Sequence, residues 1–239
     1  MRHTLALAFT TISSIILPAI INGCAAPPEA DDDHLPARAT KWTFDETVPG
    51  QIPVGWVIDE TNPTEALAEW SVIADESAPS SPNAMALTAS RNYDGTYNLA
   101  IAENTSYRDL DLTVMVQAVT GIEDQGGGPI WRCLDKDNYY ICRFNPLESN
   151  HRVYCVKDGR RRQLDSARIE LKAGRWYELR VVMIGPDITC YLDGERLLEV
   201  TDDTFTEAGN VGLWTKADAV TRFDDLTVRP AASEPHRGG

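Results

Sequence analysis

From Lys41 to Pro230 the chain runs in short segments of alternating apolar and polar residues, broken by Gly, Asp, Asn and Pro. Leu110–Ala118 (LDLTVMVQA), Trp176–Ile184 (WYELRVVMI) and Phe223–Arg229 (FDDLTVR) show the alternation over their whole length. Tyr139–Phe144 (YYICRF), Arg152–Val156 (RVYCV) and Ile188–Leu192 (ITCYL) add β-branched and aromatic residues. Period two with such residues predicts strands, because successive side chains of a strand point to opposite faces. Asp135-Lys136-Asp137-Asn138 and Asp193-Gly194 predict hairpin turns. Only Asn62–Trp70 predicts a turn or two of helix. Many strands without βαβ alternation predict an all-β fold, an antiparallel β-sandwich of the jelly-roll kind.

The N-terminus has a different pattern. Arg2 precedes a run from Leu5 to Ile21 that is nearly all apolar or small, broken by Pro18. This reads as a signal peptide over 1–23, although the run is almost long enough to remain as an anchor helix. It closes on Ile21-Asn22-Gly23-Cys24, which resembles the lipobox of bacterial lipoproteins. That resemblance implies acylation at Cys24; the alternative is a plain signal peptide with Cys24 incidental. Residues 24–40 then form the lipidated cysteine and a Pro-, Ala- and Asp-rich linker, and 231–239 a loose tail. The domain proper spans 41–230. The expected location is the cell envelope, lipid-anchored to membrane.

Charge and cysteine content narrow the partners. The 239-residue chain carries a formal charge of −14, so nucleic acid would meet overall repulsion. Setting Cys24 aside leaves Cys133, Cys142, Cys155 and Cys190. An even number in an oxidising compartment permits two disulfides in three connectivities. Cys142 and Cys155 lie symmetrically about the Asn145–His151 loop, so a simple hairpin would set them face to face as a disulfide pair. Free buried thiols are the alternative.

Chemistry concentrates in Asp124–Tyr154, DQGGGPIWRCLDKDNYYICRFNPLESNHRVY. Gly126-Gly127-Gly128 admits backbone conformations and close approaches closed to other residues. Tyr140, Cys142 and Phe144 share one strand face; Tyr139, Ile141, Arg143 and Asn145 share the other. Aromatic rings beside Arg, Asn and Glu suit a sugar, whose C–H faces pack on rings while its hydroxyls bond polar groups. Arg132, Tyr140, Arg143, Asn145 and Tyr154 are therefore the candidate sugar-binding residues here. Between Trp131 and Arg180 twelve Lys or Arg face seven Asp or Glu. That local excess in an acidic protein favours an anionic or carboxylated sugar. Arg160-Arg161-Arg162 read better as ordinary solvated charges.

Several blocks are similar to one family of exported bacterial proteins. They are Trp42-Thr43-Phe44-Asp45 with Pro53-Val54-Gly55-Trp56, DQGGGPIWR at 124–132 and DNYYICRFNPLESNHRVY at 137–154. Asp202-Asp203-Thr204-Phe205 and GNVGLWTKADAVTRFDDLTV at 209–228 complete the set. Together they resemble the 3-keto-disaccharide hydrolase domain family, loosely called family-16 glycoside hydrolase-like. The resemblance implies a concanavalin A-like lectin/glucanase fold over 41–230. It also makes Trp214 and Lys216 candidate sugar contacts, with core packing as the alternative for Trp214. Terminal carboxylates of related jelly rolls hold a structural Ca²⁺, which makes Asp45 and Asp225 candidate ligands; simple strand capping is the alternative. No other cofactor is called for.

Family-16 glucanases carry E-x-D-x-(x)-E on one strand, and none occurs here; Asp109-Leu110-Asp111 lacks a flanking glutamate. An enzyme on this chain would use another set, with Glu148 or Asp137 as acid/base and Arg132 and Lys216 holding the sugar. A 3-keto sugar lessens the demand for a nucleophile, since its ketone acidifies the neighbouring C–H and permits elimination. There is no zinc-type Cys/His spacing, P-loop or dinucleotide fingerprint. His151 is the one domain histidine, and no nucleophile elbow accompanies it. Three readings follow: a hydrolase or lyase on (3-keto-)glycosides, a non-catalytic carbohydrate-binding module, and a structural envelope protein mediating protein contacts.

Overall fold

The computed structural model describes residues 39–64 and 66–231. The expected signal peptide, Cys24, the linker to residue 38 and the tail from 232 lie outside the described residues. Within them the strands are β1 (Thr40–Trp42), β2 (Trp56–Thr61), β3 (Glu69–Ala74), β4 (Asn83–Ala89) and β5 (Tyr97–Tyr107). They continue with β6 (Leu110–Thr120), β7 (Gly128–Asp135), β8 (Asn138–Asn145), β9 (Asn150–Lys157) and β10 (Arg160–Arg168). The last five are β11 (Trp176–Ile184), β12 (Asp187–Leu192), β13 (Glu195–Thr201), β14 (Gly209–Lys216) and β15 (Val220–Pro230).

They form two antiparallel sheets, a β-sandwich of jelly-roll type. One has the order β13-β12-β11-β6-β15-β4-β3 with β1 on β15, and the other β10-β9-β8-β7-β14-β5-β2. Alternation sets the buried face, as on β11, where Tyr177, Leu179, Val181 and Met183 point inward. The two expected turns are present, at Lys136-Asp137 and at Asp193-Gly194, both residues of the latter having positive φ (48° and 79°). The described residues of 62–70 form no helix: Asn62 has φ 52°, Pro63 follows, and Glu69-Trp70 open β3.

The main core lies between the sheets. Trp131 stacks on Tyr140 at 5.6 Å, Phe144 of β8 meets Tyr177 of β11 at 5.1 Å, and the Trp131 indole donates to Met183 sulfur at 3.0 Å. A second apolar cluster sits on the other face of the seven-stranded sheet: Tyr97, Leu99, Ile101, Ile130, Cys133, Tyr139, Ile141, Tyr154, Val156 and Trp214. It is enclosed because the sheet curls. At the end of edge strand β2, Thr61 donates to the Lys136 carbonyl and bonds the Tyr139 hydroxyl at 2.8 Å, and Asn62 donates to the Gly159 carbonyl at 2.9 Å. Those acceptors lie in or beside the β7–β8 and β9–β10 turns, so the two edges of the sheet come together at one corner. Accumulated strand twist is what allows this. Strand β8 is consequently buried on both faces.

The cysteines depart from expectation: all four domain thiols are free and buried. Asn145 pairs with Asn150, so Cys142 faces Val153 and Cys155 faces Tyr140. The turn is centred one residue earlier than a hairpin that pairs the two cysteines, which offsets Cys142 from Cys155 by two rungs. Roughly 7 Å along a strand separates such positions, too far for a bridge.

Candidate functional site

The outward face of the seven-stranded sheet ends in a charged cluster built on Arg143. Its guanidinium donates to Asn150 Oδ1 at 2.8 Å, Glu148 Oε2 at 2.9 Å and the Tyr154 hydroxyl at 3.1 Å. The side chain is only 2% exposed and its Nε–H has no acceptor. Arg152 closes the cluster from β9, donating to the same Glu148 oxygen at 3.1 Å and to Ser166 Oγ at 3.1 Å. Burial opposes ionisation of Glu148, yet the Asn150 amide and the Arg143 and Arg152 guanidiniums outweigh it and hold its carboxyl down at about 2.

Asp124 and Lys216 complete this end. Asp218 fixes the loop before β7 by accepting the backbone N–H groups of Ile122, Glu123 and Asp124 at 2.7, 3.0 and 3.1 Å. Asp124 is buried; its Oδ1 accepts from the Asn145 amide at 3.0 Å and its Oδ2 lies 3.4 Å from Lys216 Nζ. Burial pushes its pKa up, offset in part by Arg143, Lys216 and Arg161. Asn145 Oδ1 accepts Leu147 N–H at 2.8 Å, so one side chain shapes the β8–β9 turn and orients Asp124. The close strand packing beneath needs glycine: a Cβ on Gly128 would fall on the Cys142 carbonyl oxygen, and Gly126 has φ 95° beside the Phe144 carbonyl.

Arg161 is the residue that the sequence pattern did not reveal. Instead of pointing to solvent, its guanidinium carbon lies 4.5 Å from the Tyr154 centroid, 5.1 Å from Tyr97 and 5.7 Å from Trp214. Its Nη1 is buried without an acceptor. Period two alone places Arg161 on the outward face opposite Val156, but only the curl of the sheet brings Tyr97 and Trp214 beneath it. Arg160 and Arg162 remain exposed as expected, Arg162 pairing with Asp202 at 2.7 Å.

Of the residues singled out from sequence, Arg143, Asn145, Glu148, Tyr154, Trp214 and Lys216 come together here. Arg132 does not. It lies at the other end of β8, where it binds the carbonyls of Arg108 (2.7 Å), Phe205 (2.6 Å) and Gly185 (2.7 Å) and so ties three loops. Tyr140 faces the inter-sheet core, with its hydroxyl 2.7 Å from Asp202 Oδ1. Asp137 sits in the β7–β8 turn, paired with Lys136 at 2.8 Å. The length of β8, roughly 20 Å, separates it from Glu148. His151 is buried inside the sandwich, 3.5 Å from Cys142 Sγ; burial and Arg143 lower its pKa to about 4.

Asp45 Oδ1 accepts Asn83 N–H at 3.2 Å, and Asp225 pairs with Lys41 at 2.7 Å. Among the described residues no three His, Cys, Asp or Glu side chains are grouped to hold a metal ion.

Among solved structures the fold is similar to the carbohydrate-binding module CBM66 from Bacillus subtilis (TM-score 0.56, 19% identity, 73% of this chain and 95% of that one). It is also similar to the cellulose-induced protein Cip1 (TM-score 0.58, 14% identity, 83% and 100%). A third is domain 4 of AbnA, an extracellular GH43 arabinanase from Geobacillus stearothermophilus, in complex with arabinotriose (TM-score 0.55, 12% identity, 83% and 95%). No functionally curated protein matches the sequence. The family model of the 3-keto-alpha-glucoside-1,2-lyase-like domain matches residues 55–229. That span takes in nearly the whole sandwich, from β2 to β15, and the chain is a member of this family.

Proposed function

We propose that the domain is a carbohydrate-binding module of the cell envelope, which holds a sugar at the Arg143 end of the curled sheet and is presented from a lipid anchor at Cys24. The observation that carries this reading is the convergence of Arg143, Arg152, Arg161, Lys216, Asp124, Glu148 and Asn145 around the Tyr154 ring. Cationic and anionic side chains fixed side by side are what sugar hydroxyls require, and Arg152 and Glu148 are open to solvent at the rim of the cluster. Membership of a sugar-processing family supports the ligand class.

Binding is favoured over hydrolysis by the state of the carboxylates, and elimination, which needs a single base, is separated from binding by the turnover assay. Hydrolysis of either stereochemistry needs two carboxyl groups within about 10 Å, one of them protonated. Glu148 is held ionised by two guanidiniums, Asp137 is a strand length away, and Asp124 is buried and already engaged by Asn145 and Lys216. The lipid anchor is supported by Leu5–Ile21 and the lipobox-like Ile21–Cys24.

The test is a screen of neutral and acidic oligosaccharides and 3-keto-glucosides against the fragment Ala37–Gly239, with and without EDTA. Saturable binding without turnover is the expected result. Turnover that Glu148→Ala abolishes would replace this reading with the enzymatic one, and neither binding nor turnover would remove both. For the anchor, the full-length protein should incorporate labelled palmitate and Cys24→Ala should abolish the labelling; no label in the parent, or label that survives Cys24→Ala, would sink lipidation at Cys24.

A further inference from the structure

We infer that the domain has a second carbohydrate subsite, a half-open cavity of about 410 Å³ between β1 and the chain leading into β2, and that it takes an uncharged sugar. The cavity shares no residue with the Arg143 cluster and does not depend on a sugar being held there. Its volume lies within the roughly 300–1,000 Å³ of small-molecule sites. Phe44 and Pro53 are buried and give it a floor, and Trp42, Thr43, Glu46 and Thr47 stand around it, none of them fully buried. These walls are fixed in place. Trp42 packs edge-to-face with Trp56 at 5.7 Å, and Trp56 meets Phe44 at 5.6 Å. Asn83 ties down the loop after β1: its backbone N–H donates to Asp45 Oδ1 at 3.2 Å, and its amide donates to the carbonyls of Asp45 and Thr47 at 3.1 and 3.3 Å. Between these ties Phe44 is held at φ 65°, a left-handed conformation that a bulky residue keeps only when its surroundings impose it. Such outliers gather at ligand sites, and a loop ordered in advance loses little freedom on binding.

The polar groups around this cavity are uncommitted. Trp42 Nε1, the Thr43 and Thr47 hydroxyls and the Glu46 carboxylate have no hydrogen-bond or ion-pair partner among the described residues, and none of them is sealed from solvent. In the Arg143 cluster, by contrast, the side chains bind one another. An indole donor, two hydroxyls and a carboxylate beside an aromatic ring are the groups that sugar hydroxyls and C–H surface use. Charge decides the class of sugar. Among the described residues Lys41 is the one cation lining the cavity, and Asp225 neutralises it at 2.7 Å. Glu46 is left as the unpaired charge. It repels a carboxylated or sulfated sugar, and it accepts charge-assisted hydrogen bonds from the hydroxyls of a neutral one.

The neutral probes are cellotetraose, maltotetraose and arabinotetraose, and the acidic one is tetragalacturonate. Each is titrated calorimetrically into the full-length protein and followed by the indole N–H resonances, with Trp42 assigned by its loss in Trp42→Phe. At least one neutral probe is expected to bind saturably and to shift the Trp42 resonance, while tetragalacturonate leaves that resonance unmoved. Glu46→Gln, at an exposed position, should weaken the neutral binding at least about tenfold and leave the melting temperature unchanged. Glu195→Gln, exposed on β13, should leave the binding as it is. A neutral probe that binds without shifting Trp42, or that binds Glu46→Gln as tightly as the parent, would overturn this subsite and leave sugar binding at Arg143 standing. No binding of any neutral probe would overturn the subsite as well. Tetragalacturonate shifting Trp42 as strongly as the neutral probes would overturn the uncharged class.

Discussion

The guanidinium carbon of Arg161 lies 4.5 Å from the ring centroid of Tyr154, the two residues belonging to neighbouring strands β10 and β9. The guanidinium that covers the ring is half-buried and has no ion pair among the described residues, so ring and cation stabilise each other directly. A double-mutant cycle with Arg161→Leu and Tyr154→Leu should give a coupling of about 0.5–2 kcal/mol, read from urea unfolding. A coupling near zero would mean that Arg161 merely covers the ring.

Glu148 should contribute to acid stability. Its folded pKa of about 2 lies below the ordinary 4.5, so the stabilisation is present above pH 4.5 and is lost as pH falls toward 2. The carboxylate is half exposed, which limits the effect to about 1 kcal/mol. Glu148→Gln should lower the urea midpoint at pH 6 and converge with the parent near pH 2. A constant gap across that range would assign the loss to packing.

Asp224 should act in the opposite sense. It is buried, accepts Ser80 N–H at 2.7 Å and Asp225 N–H at 2.7 Å, and burial with the Asp225 charge raises its pKa to about 6. A folded pKa above 3.8 means that stability falls as pH rises from 3.8 to 6 and is flat above. Relative to the parent, Asp224→Asn should gain on the order of 2 kcal/mol across that interval. A pH-independent difference between the two proteins would rule the titration out.

The domain thiols should behave as four free, buried groups. Ellman's reagent should find none of Cys133, Cys142, Cys155 and Cys190 in the native Ala37–Gly239 protein and all four in guanidinium. A count of two in denaturant under non-reducing conditions would require a disulfide, and Cys142 with Cys190, in side-chain contact across the core, is the pair that could form it without a change of β8–β9 register.

Gly128→Ala should cost at least about 3 kcal/mol, since its Cβ would collide with the Cys142 carbonyl of the neighbouring strand. Gly95→Ala, with open space around it, should leave the melting temperature nearly unchanged. A folded Gly128→Ala protein of parental stability would show that β7 and β8 are farther apart than described.

Period two by itself determined the all-β class, the sandwich and most strand positions, because alternation follows directly from strand geometry. Asp193-Gly194 announced its turn through residues that tolerate positive φ. The same alternation placed Arg143 and Asn145 on one face of β8. It could not say what covers that face: Thr61 and Asn62 meeting the turns at Lys136 and Gly159 enclose it, and that contact spans 75 and 97 residues. For the same reason Arg161 read as a surface charge until the curl of the sheet set Tyr97 and Trp214 under it. The cysteine register depended on the β8–β9 turn, where a shift of one residue in the centre moves the partner of Cys142 by two positions. Local pattern fixes which side chains share a face. Which faces become enclosed, and which charges then meet, is decided by long-range pairing and accumulated twist.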